Sequence, residues 1–169
     1  MKVVILCGGY GTRIRDVAEN IPKPMIPIGG FPILWHIMKY YSCYGHSDFT
    51  LCLGYKSNVI KEFFLNYEAL TRDFTINLGN NKSIEFHSDH AESDWKVTLA
   101  ETGLDSMTGA RLKRVDKYLV GEENFMLTYG DGVGNVDLNR LLEFHHSHGT
   151  TLSPGHFIQQ LSRQFGQMR

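Results

Sequence analysis

Two segments near the start of the chain combine glycines with cationic side chains. The glycine-rich segment 8–13 follows directly on the apolar run 3–7 and ends in Arg13, and Lys23 stands between two prolines. Glycines let successive backbone N–H groups approach one anion, while arginine offers a planar fork of donors and lysine a compact positive charge. This combination predicts a phosphate-binding loop of the kind that chemistry on a nucleoside triphosphate requires.

Two better-known phosphate loops do not fit segment 8–13. A dinucleotide-binding fingerprint requires a third glycine where Ile14 stands, and a P-loop requires Gly-Lys-Ser/Thr where Gly11-Thr12-Arg13 stands. The alternative is a tight strand-to-helix turn that carries an exposed arginine. The prolines around Lys23 hold it on a rigid, non-helical segment, which favours a positioned lysine over a merely solvated one.

A carboxylate follows another apolar run further along the chain. Segment 125–129 reads as a buried strand, and Asp131 comes directly after it between two glycines. Open α/β sheets bind ligands beyond the carboxyl ends of their strands, and Mg²⁺ prefers one or two carboxylates together with phosphate oxygens. We therefore expect Asp131 to hold Mg²⁺ against phosphates; the alternative is a simple turn aspartate.

The elements that must position these groups alternate between strands and helices. Buried strands are predicted at 3–7, 48–53, 95–99 and 125–129, and helical spacing of apolar residues predicts helices within 32–45, 59–67, 108–119 and 135–149. Thr108 is the expected N-cap of the third helix. The alternation predicts an α/β fold with a doubly wound, mostly parallel sheet, and segments 74–78 and 84–87 predict a small β-hairpin insertion.

The composition is that of an ordinary globular domain. The chain has 169 residues, of which 42% are hydrophobic and 21% charged, and its net charge is −1. One domain is therefore expected, with no bulk electrostatic attraction for nucleic acid or an anionic membrane. The longest apolar run, 3–7, is too short to span a bilayer and lacks the features of a signal peptide, so a cytoplasmic protein is expected.

The cysteines and one histidine pair are not expected to do chemistry. Cys7, Cys43 and Cys52 lie in apolar stretches without a metal-ligand spacing, which favours reduced core residues. His87 and His90 stand near two acidic residues, but no helical i, i+4 pair supports a metal site, and a solvated loop is the preferred interpretation.

The glycine-rich segment and the lysine together resemble a known family. Leu6-Cys7-Gly8-Gly9-Tyr10-Gly11-Thr12-Arg13, followed by Pro22-Lys23-Pro24-Met25, is similar to the signature of the sugar-1-phosphate nucleotidyltransferases. Segments 32–38, 54–62, 102–115 and 128–133 resemble the glucose-1-phosphate cytidylyltransferases within that family. The resemblance implies a Rossmann-like nucleotidyltransferase fold and the conversion of CTP and α-D-glucose 1-phosphate to CDP-glucose and pyrophosphate.

The family's functional residues carry over position by position. The resemblance implies nucleotide contacts from Leu6, Cys7, Gly8, Gly9, Tyr10, Gly11, Thr12, Arg13, Lys23, Ser106, Arg111 and Gly130. Arg13 and Lys23 would be the catalytic residues, because they would offset negative charge on the departing pyrophosphate, and Asp131 would be the Mg²⁺ ligand. The resemblance also implies a homo-oligomer that supplies nucleotide sugar for surface polysaccharide such as O antigen.

The resemblance covers roughly residues 1–150. Family members continue into a segment with most of the sugar-phosphate contacts and a second metal-binding aspartate, so 1–150 is expected to be the nucleotide-binding nucleotidyltransferase domain. Residues 151–169 are expected to be an atypical, poorly specified tail in place of that half, as in a C-terminally truncated chain. Two alternatives stay open: a nucleotidyltransferase for another nucleoside triphosphate or sugar phosphate, and a catalytically impaired nucleotide-binding fragment.

Overall fold

The computed structural model describes residues 1–10, 21–79, 82–148, 152–154 and 158–162, the last two ranges as backbone alone. The strands are β1 (Val3–Leu6), β2 (Pro27–Ile28), β3 (Phe31–Pro32), β4 (Asp48–Leu53), β5 (Phe74–Asn77), β6 (Ser83–Phe86), β7 (Lys96–Glu101), β8 (Asn124–Tyr129), β9 (Leu152–Pro154) and β10 (Ile158–Ser162). The α-helices are α1 (Ile33–Ser42), α2 (Ser57–Leu65), α3 (Tyr67–Thr71), α4 (Thr108–Val115) and α5 (Leu138–His148), with 3-10 turns at Lys23–Met25 and Asp116–Tyr118.

A six-stranded sheet in the order β7-β4-β1-β8-β10-β9 forms the centre of the molecule. The first four strands in this order are parallel, and β1 pairs with β4 on one side and β8 on the other. The carboxyl ends of these four strands therefore meet at one edge of the sheet. The predicted α/β fold with a mostly parallel sheet is confirmed.

Helices cover both faces of the sheet because successive residues of a strand point to opposite sides. Val3 and Ile5 of β1 pack into one core with apolar residues of α1, α2 and α5. Val4 and Leu6 pack into a second core that includes Val115 of α4. This two-sided burial explains why β1 is a continuous apolar run, and it confirms the doubly wound arrangement.

The β-hairpin insertion is also confirmed. Strands β5 and β6 form a separate two-stranded antiparallel sheet in which Asn77 pairs with Ser83. Apolar side chains on and beside this hairpin are exposed, among them Ile76, Leu78 and Ile84. The hairpin therefore adds little to the central core.

Two local expectations were wrong. Thr108 was expected to cap α4, but it is the first residue of the helix and the N-cap is Met107. Cys43 is exposed, whereas Cys7 and Cys52 are buried as expected.

Two strands lie within segment 151–169, which was expected to be a poorly specified tail. Strand β10 pairs antiparallel with β8, and β9 pairs with β10. Backbone groups along the free side of β8 accept an extended partner whatever its side-chain pattern, so this pairing left no sequence signal.

Among the residues that the structure describes, no helix is both long and apolar enough to cross a membrane.

Candidate active site

A cleft of about 250 Å³ opens where β1 and β8 end and where α4 begins. It is lined by Leu6, Cys7, Gly8, Gly9, Lys23, Pro24, Ser106, Met107, Thr108, Arg111, Tyr129 and Asp131. Eight of these residues belong to the set that the sequence assigned to nucleotide or metal binding. Gly11, Thr12 and Arg13 lie outside the described residues, so their predicted contacts stay predictions.

Lys23 and Asp131 approach one another across the cleft. Lys23 Nζ lies 3.9 Å from Asp131 Oδ2, and the side chains are 18% and 43% exposed, respectively. Lys23 begins a 3-10 turn whose other residues, Pro24 and Met25, are buried and anchor it. Because the separation is loose and the carboxylate is open to solvent, both charged groups remain available to a ligand.

Gly130 packs three segments of the site against one another. Its N–H donates to Leu6 O at 3.0 Å, which continues the pairing of β8 with β1. A Cβ at this position would lie 2.9 Å from Cys7 Sγ and 3.1 Å from Pro24 Cγ. The lack of a side chain at Gly130 therefore lets the end of β8 lie close to the segment that carries Lys23.

Cys7 lies at the bottom of the cleft and is 1% exposed. Burial raises the pKa of the Cys7 thiol well above its usual value, because the thiolate would lose its solvation. The neighbouring Cys52 is also buried, which raises its pKa to about 12. Both thiols therefore stay protonated near neutral pH, and neither acts as a nucleophile there.

Arg111 lies beneath the glycine-rich segment and is only 5% exposed. Its Nη2 donates to Gly8 O at 3.0 Å and to Leu104 O at 3.1 Å. Its Nη1 lies 3.0 Å from Leu53 O, 2.8 Å from Thr102 Oγ1 and 2.9 Å from Gly103 O. The acceptors that bury it come from three separate stretches of the chain.

The first turn of α4 forms one wall of the cleft through Met107 and Thr108. Met107 is the N-cap and makes no side-chain capping hydrogen bond. The first N–H groups of a helix lack intrahelical acceptors and carry partial positive charge, so an anion is favoured beside them. This wall is therefore suited to phosphate.

Arg114 is a site residue that sequence reasoning missed. Its Nη1 donates to Ser106 Oγ and to Thr102 O, and it thus holds a hydroxyl that lines the cleft. Its spacing of three from Arg111 was the available signal, because residues at i and i+3 lie on the same helix face.

Tyr10 connects the glycine-rich segment to the loop before α4. Its hydroxyl donates to Asp105 Oδ1 at 2.5 Å, and its ring lies 5.3 Å from that of Tyr55. The hydrogen bond to Asp105 raises the pKa of Tyr10 above its usual value. Neither Asp105 nor Tyr55 was singled out from the sequence, because no local pattern links residues so far apart in the chain.

Asp131 is the residue that could hold a metal ion in this cleft. Within the described ranges, no group of three or more histidine, cysteine, aspartate or glutamate side chains could hold one. Mg²⁺ commonly uses one or two protein carboxylates and completes its shell with water and phosphate oxygens. One exposed carboxylate opposite a lysine fits an ion that arrives with a phosphate ligand.

His87 and His90, the pair considered above, are both bonded within the protein. Thr75 Oγ1 lies 2.8 Å from His87 Nε2, and His90 Nδ1 accepts from the N–H of Glu92 at 3.2 Å. The Glu92 carboxylate pairs with Lys39 at 2.6 Å. Both histidines therefore make hydrogen bonds within the protein.

Sequence comparisons relate the chain to enzymes of known class. A family model described as nucleotidyl transferase matches residues 2–169. A glucose-1-phosphate cytidylyltransferase from Salmonella typhi is 49% identical over 175 residues, covering 100% of this chain and 67% of that protein. A probable glucose-1-phosphate cytidylyltransferase from Bacillus subtilis (strain 168) is 46% identical over 149 residues, covering 88% of this chain and 57% of that protein.

A solved structure is also similar to this chain. The crystal structure of HddC from Yersinia pseudotuberculosis complexed with GMP-PN matches with a TM-score of 0.60 and 26% identity, covering 85% of this chain and 53% of that chain. The chain thus spans about two thirds of the Salmonella protein and about half of the HddC chain.

Proposed function

The chain belongs to the nucleotidyl transferase family, and from that premise we propose that it joins CTP to α-D-glucose 1-phosphate, giving CDP-glucose and pyrophosphate. The observation that carries the proposal is the approach of Lys23 Nζ to Asp131 Oδ2, at 3.9 Å, in a cleft that Gly8 and Gly9 also line. The choice of CTP and glucose 1-phosphate rests on the 49% identity to the Salmonella typhi cytidylyltransferase.

The proposed reaction is an in-line displacement at the α-phosphorus of CTP. An oxygen of the sugar phosphate forms the new bond to phosphorus as the bond to the bridging oxygen of the leaving pyrophosphate breaks. The attacking oxygen is already anionic, so the protein supplies neither a nucleophile nor a general base. Catalysis then consists of positioning the two substrates and offsetting the charge that develops on the leaving group.

Each proposed role corresponds to a feature of the cleft. Lys23 offsets negative charge on the pyrophosphate, and Arg13 is proposed to do the same from the glycine-rich segment. The first turn of α4 favours an anion beside it, and Ser106 offers a hydroxyl that Arg114 holds in place. The remaining proposed nucleotide contacts come from Leu6, Cys7, Gly8, Gly9, Tyr10, Gly11, Thr12, Arg111 and Gly130.

Asp131 is proposed as the protein ligand of Mg²⁺. It lines the cleft and is 43% exposed, so its carboxylate has room for an ion. Bound Mg²⁺ would supply neutralisation of phosphate charge and a fixed geometry for the phosphate oxygens. The positive charge of Lys23 lies opposite this carboxylate and offsets its negative charge. Without Lys23, the carboxylate alone would repel a triphosphate.

Pyrophosphate release tests the proposal. The chain is incubated with glucose 1-phosphate, Mg²⁺ and one nucleoside triphosphate at a time, and pyrophosphate and nucleotide sugar are measured. We expect release with CTP, and loss of release in Asp131→Asn but not in the matched surface variant Asp73→Asn. Turnover with another triphosphate but not with CTP would instead make the chain a nucleotidyltransferase of different base specificity.

A second candidate is a nucleotide-binding protein without turnover. The observation behind it is that this chain spans 67% of the length of the Salmonella typhi relative. Calorimetric titration with CTP, run beside the release assay, separates the two candidates. Binding without pyrophosphate release would favour the second.

We extend the proposal to the assembly and its cellular role. The exposed apolar side chains of the hairpin, Ile76, Leu78 and Ile84, support a homo-oligomer in which a second copy covers them. Sedimentation velocity tests this, and a concentration-independent monomer would contradict it. A cytoplasmic location and a role in supplying nucleotide sugar for surface polysaccharide follow from the proposed substrates, without contact to nucleic acid or membrane.

A further inference from the structure

Segment 131–136, which joins Asp131 to α5, lies outside regular secondary structure. Before it, the pairing of β8 with β1 ends at the N–H of Gly130. After it, the Asp137 carboxylate accepts two N–H groups from the first turn of α5. Between these fixed ends, the backbone groups of 131–135 form no hydrogen bond to another described residue. The course of the segment therefore depends on contacts with the elements packed against it.

Tyr40 of α1 bonds the far end of segment 131–136. Its hydroxyl donates to Val136 O, and both side chains pack against the core that contains Val3 and Ile5. Burial raises the pKa of Tyr40 to about 12, so the hydroxyl keeps its proton near neutral pH and stays a donor. Within the described parts of the chain, this is the one hydrogen bond that the backbone of the segment makes.

Burial alternates along segment 131–136. Even-numbered positions from 132 to 136 are half-buried, and odd-numbered positions from 131 to 135 are exposed. Residues 132–134 border a small cavity of about 10 Å³ whose other walls are Ile37, Tyr40, Tyr41 and Thr128. This cavity has room for about one water molecule, so the segment lies directly on α1. Asp131 is on its outward side and lines the cleft.

We infer that Tyr40 is a positioning residue, whose hydroxyl holds segment 131–136 against α1 and thereby directs the Asp131 carboxylate into the cleft. The inference rests on the proposed function for the role of Asp131 as a Mg²⁺ ligand. Tyr40 is not among the residues that line the cleft, so it acts through Asp131. Because Mg²⁺ requires a near-ideal octahedral shell, a carboxylate on an unanchored segment binds it less well.

Two glycines make the segment dependent on this hydrogen bond. Gly132 and Gly134 have the greatest backbone freedom of any residue type, so the segment gains many conformations once it is released. Tyr40→Phe removes the donor and leaves Val136 O without a partner, which weakens the local structure. The ring is retained, together with its contact to Tyr44 at 5.4 Å. The substitution therefore isolates the hydroxyl from the packing of the side chain.

The first test is limited proteolysis of the nucleotide-free protein with an endoproteinase that cleaves before aspartate. One of its sites is the Val136–Asp137 bond, whose carbonyl accepts from Tyr40. We expect the initial rate at this bond to rise about three- to tenfold in Tyr40→Phe, with the cuts before other aspartates unchanged.

Tyr118→Phe is the control, the same change at an exposed tyrosine that does not line the cleft. Its cleavage rates should match those of the parent. An unchanged rate at Val136–Asp137 in Tyr40→Phe would overturn the inference. Faster cutting at every aspartate would also overturn it, because it would show a general loss of stability.

The second test measures CTP binding by calorimetry, once with Mg²⁺ and once with EDTA. In Tyr40→Phe we expect the affinity with Mg²⁺ to fall about three- to tenfold and the affinity with EDTA to match the parent. Adding Tyr40→Phe to Asp131→Asn should cause no further loss, since the hydroxyl acts through that carboxylate.

The two tests together separate this inference from the proposed function. Faster cleavage at Val136–Asp137 with unchanged CTP affinity in Mg²⁺ would show that Tyr40 holds the segment without positioning Asp131, and would overturn the inference. A parent chain that binds no CTP would count against the proposed function alone, because the cleavage test is read without nucleotide.

Discussion

The contact between Gly130 and Cys7 gives a prediction whose size follows from the structure. In Gly130→Ala the new Cβ would lie 2.9 Å from Cys7 Sγ, 3.1 Å from Pro24 Cγ and 3.2 Å from Leu6 O. All three distances are shorter than ordinary van der Waals contact, and Cys7 is only 1% exposed, so a displaced Sγ meets the packed core. Overpacking of this kind costs about 1–3 kcal/mol, which lowers Tm by roughly 2–4 °C per kcal/mol in a chain of this size.

A second substitution tests whether Cys7 Sγ causes the loss of stability in Gly130→Ala. Cys7→Ala removes Sγ, the nearest of the three atoms, and alone should cost about 0.5–1.5 kcal/mol because it deletes one buried atom. In the double variant the new Cβ has space, so Gly130→Ala should cost less there than in the parent. We expect a favourable coupling free energy of about 1–2 kcal/mol between the two sites.

The assay is denaturant unfolding of the four proteins of this cycle, followed by circular dichroism. CTP affinity is measured in parallel, and it should fall in Gly130→Ala because the same shift displaces Pro24 and with it Lys23. Gly109→Ala is the matched control, since a Cβ there would meet nothing within 4 Å. Additive free energies in the cycle, or an unchanged stability of Gly130→Ala, would refute the packing described at this end of β8.

Three further predictions concern other parts of the molecule. Lys23→Met should lower the rate of pyrophosphate release by about 10²-fold or more, because the charge that stabilises the leaving group is lost. Lys113→Met is the control, and equal rates in the two variants would show that Lys23 has no catalytic role. Brief alkylation of the native protein should modify the exposed Cys43 and spare Cys7 and Cys52, because burial raises the pKa values of these two thiols. Mass spectrometry of the peptides measures the labelling, and rapid labelling of Cys7 would contradict the prediction. Burial lowers the pKa of His46, so the folded chain resists protonating it. Its contribution to stability is present above the unfolded pKa of about 6.5 and is lost as pH falls toward the lower folded value. The Tm should thus decrease between about pH 7.5 and about pH 5.5, less so in His46→Gln than in the parent; parallel pH profiles would exclude His46 as the cause.

The sequence was sufficient to predict the fold and many of the residues that line the cleft. Apolar runs that end in glycine or a charged residue predicted the parallel strands, because a strand buried on both faces must be apolar throughout. The glycine-rich segment and Asp131 were expected in one site because parallel strands place their carboxyl ends together, and the resemblance placed Lys23 there as well. The structure brings the side chains of Lys23 and Asp131 within 3.9 Å.

The features that were missed depend on distant parts of the chain. Arg111 is buried because carbonyls from three loops surround it, and no spacing along α4 indicates those acceptors. Cys43 has apolar neighbours but is exposed, because it lies beyond the inward stripe of α1, whose buried positions are Leu34, Ile37, Met38 and Tyr41. Strands β9 and β10 pair through backbone groups, which leave no side-chain pattern.

A crystal structure of the chain with CTP and Mg²⁺ would show whether the nucleotide and the metal ion bind in this cleft. We predict that the triphosphate lies between Lys23 and Asp131, with the metal ion on the Asp131 carboxylate. Nucleotide bound outside this cleft, or a metal ion held elsewhere on the protein, would contradict the account.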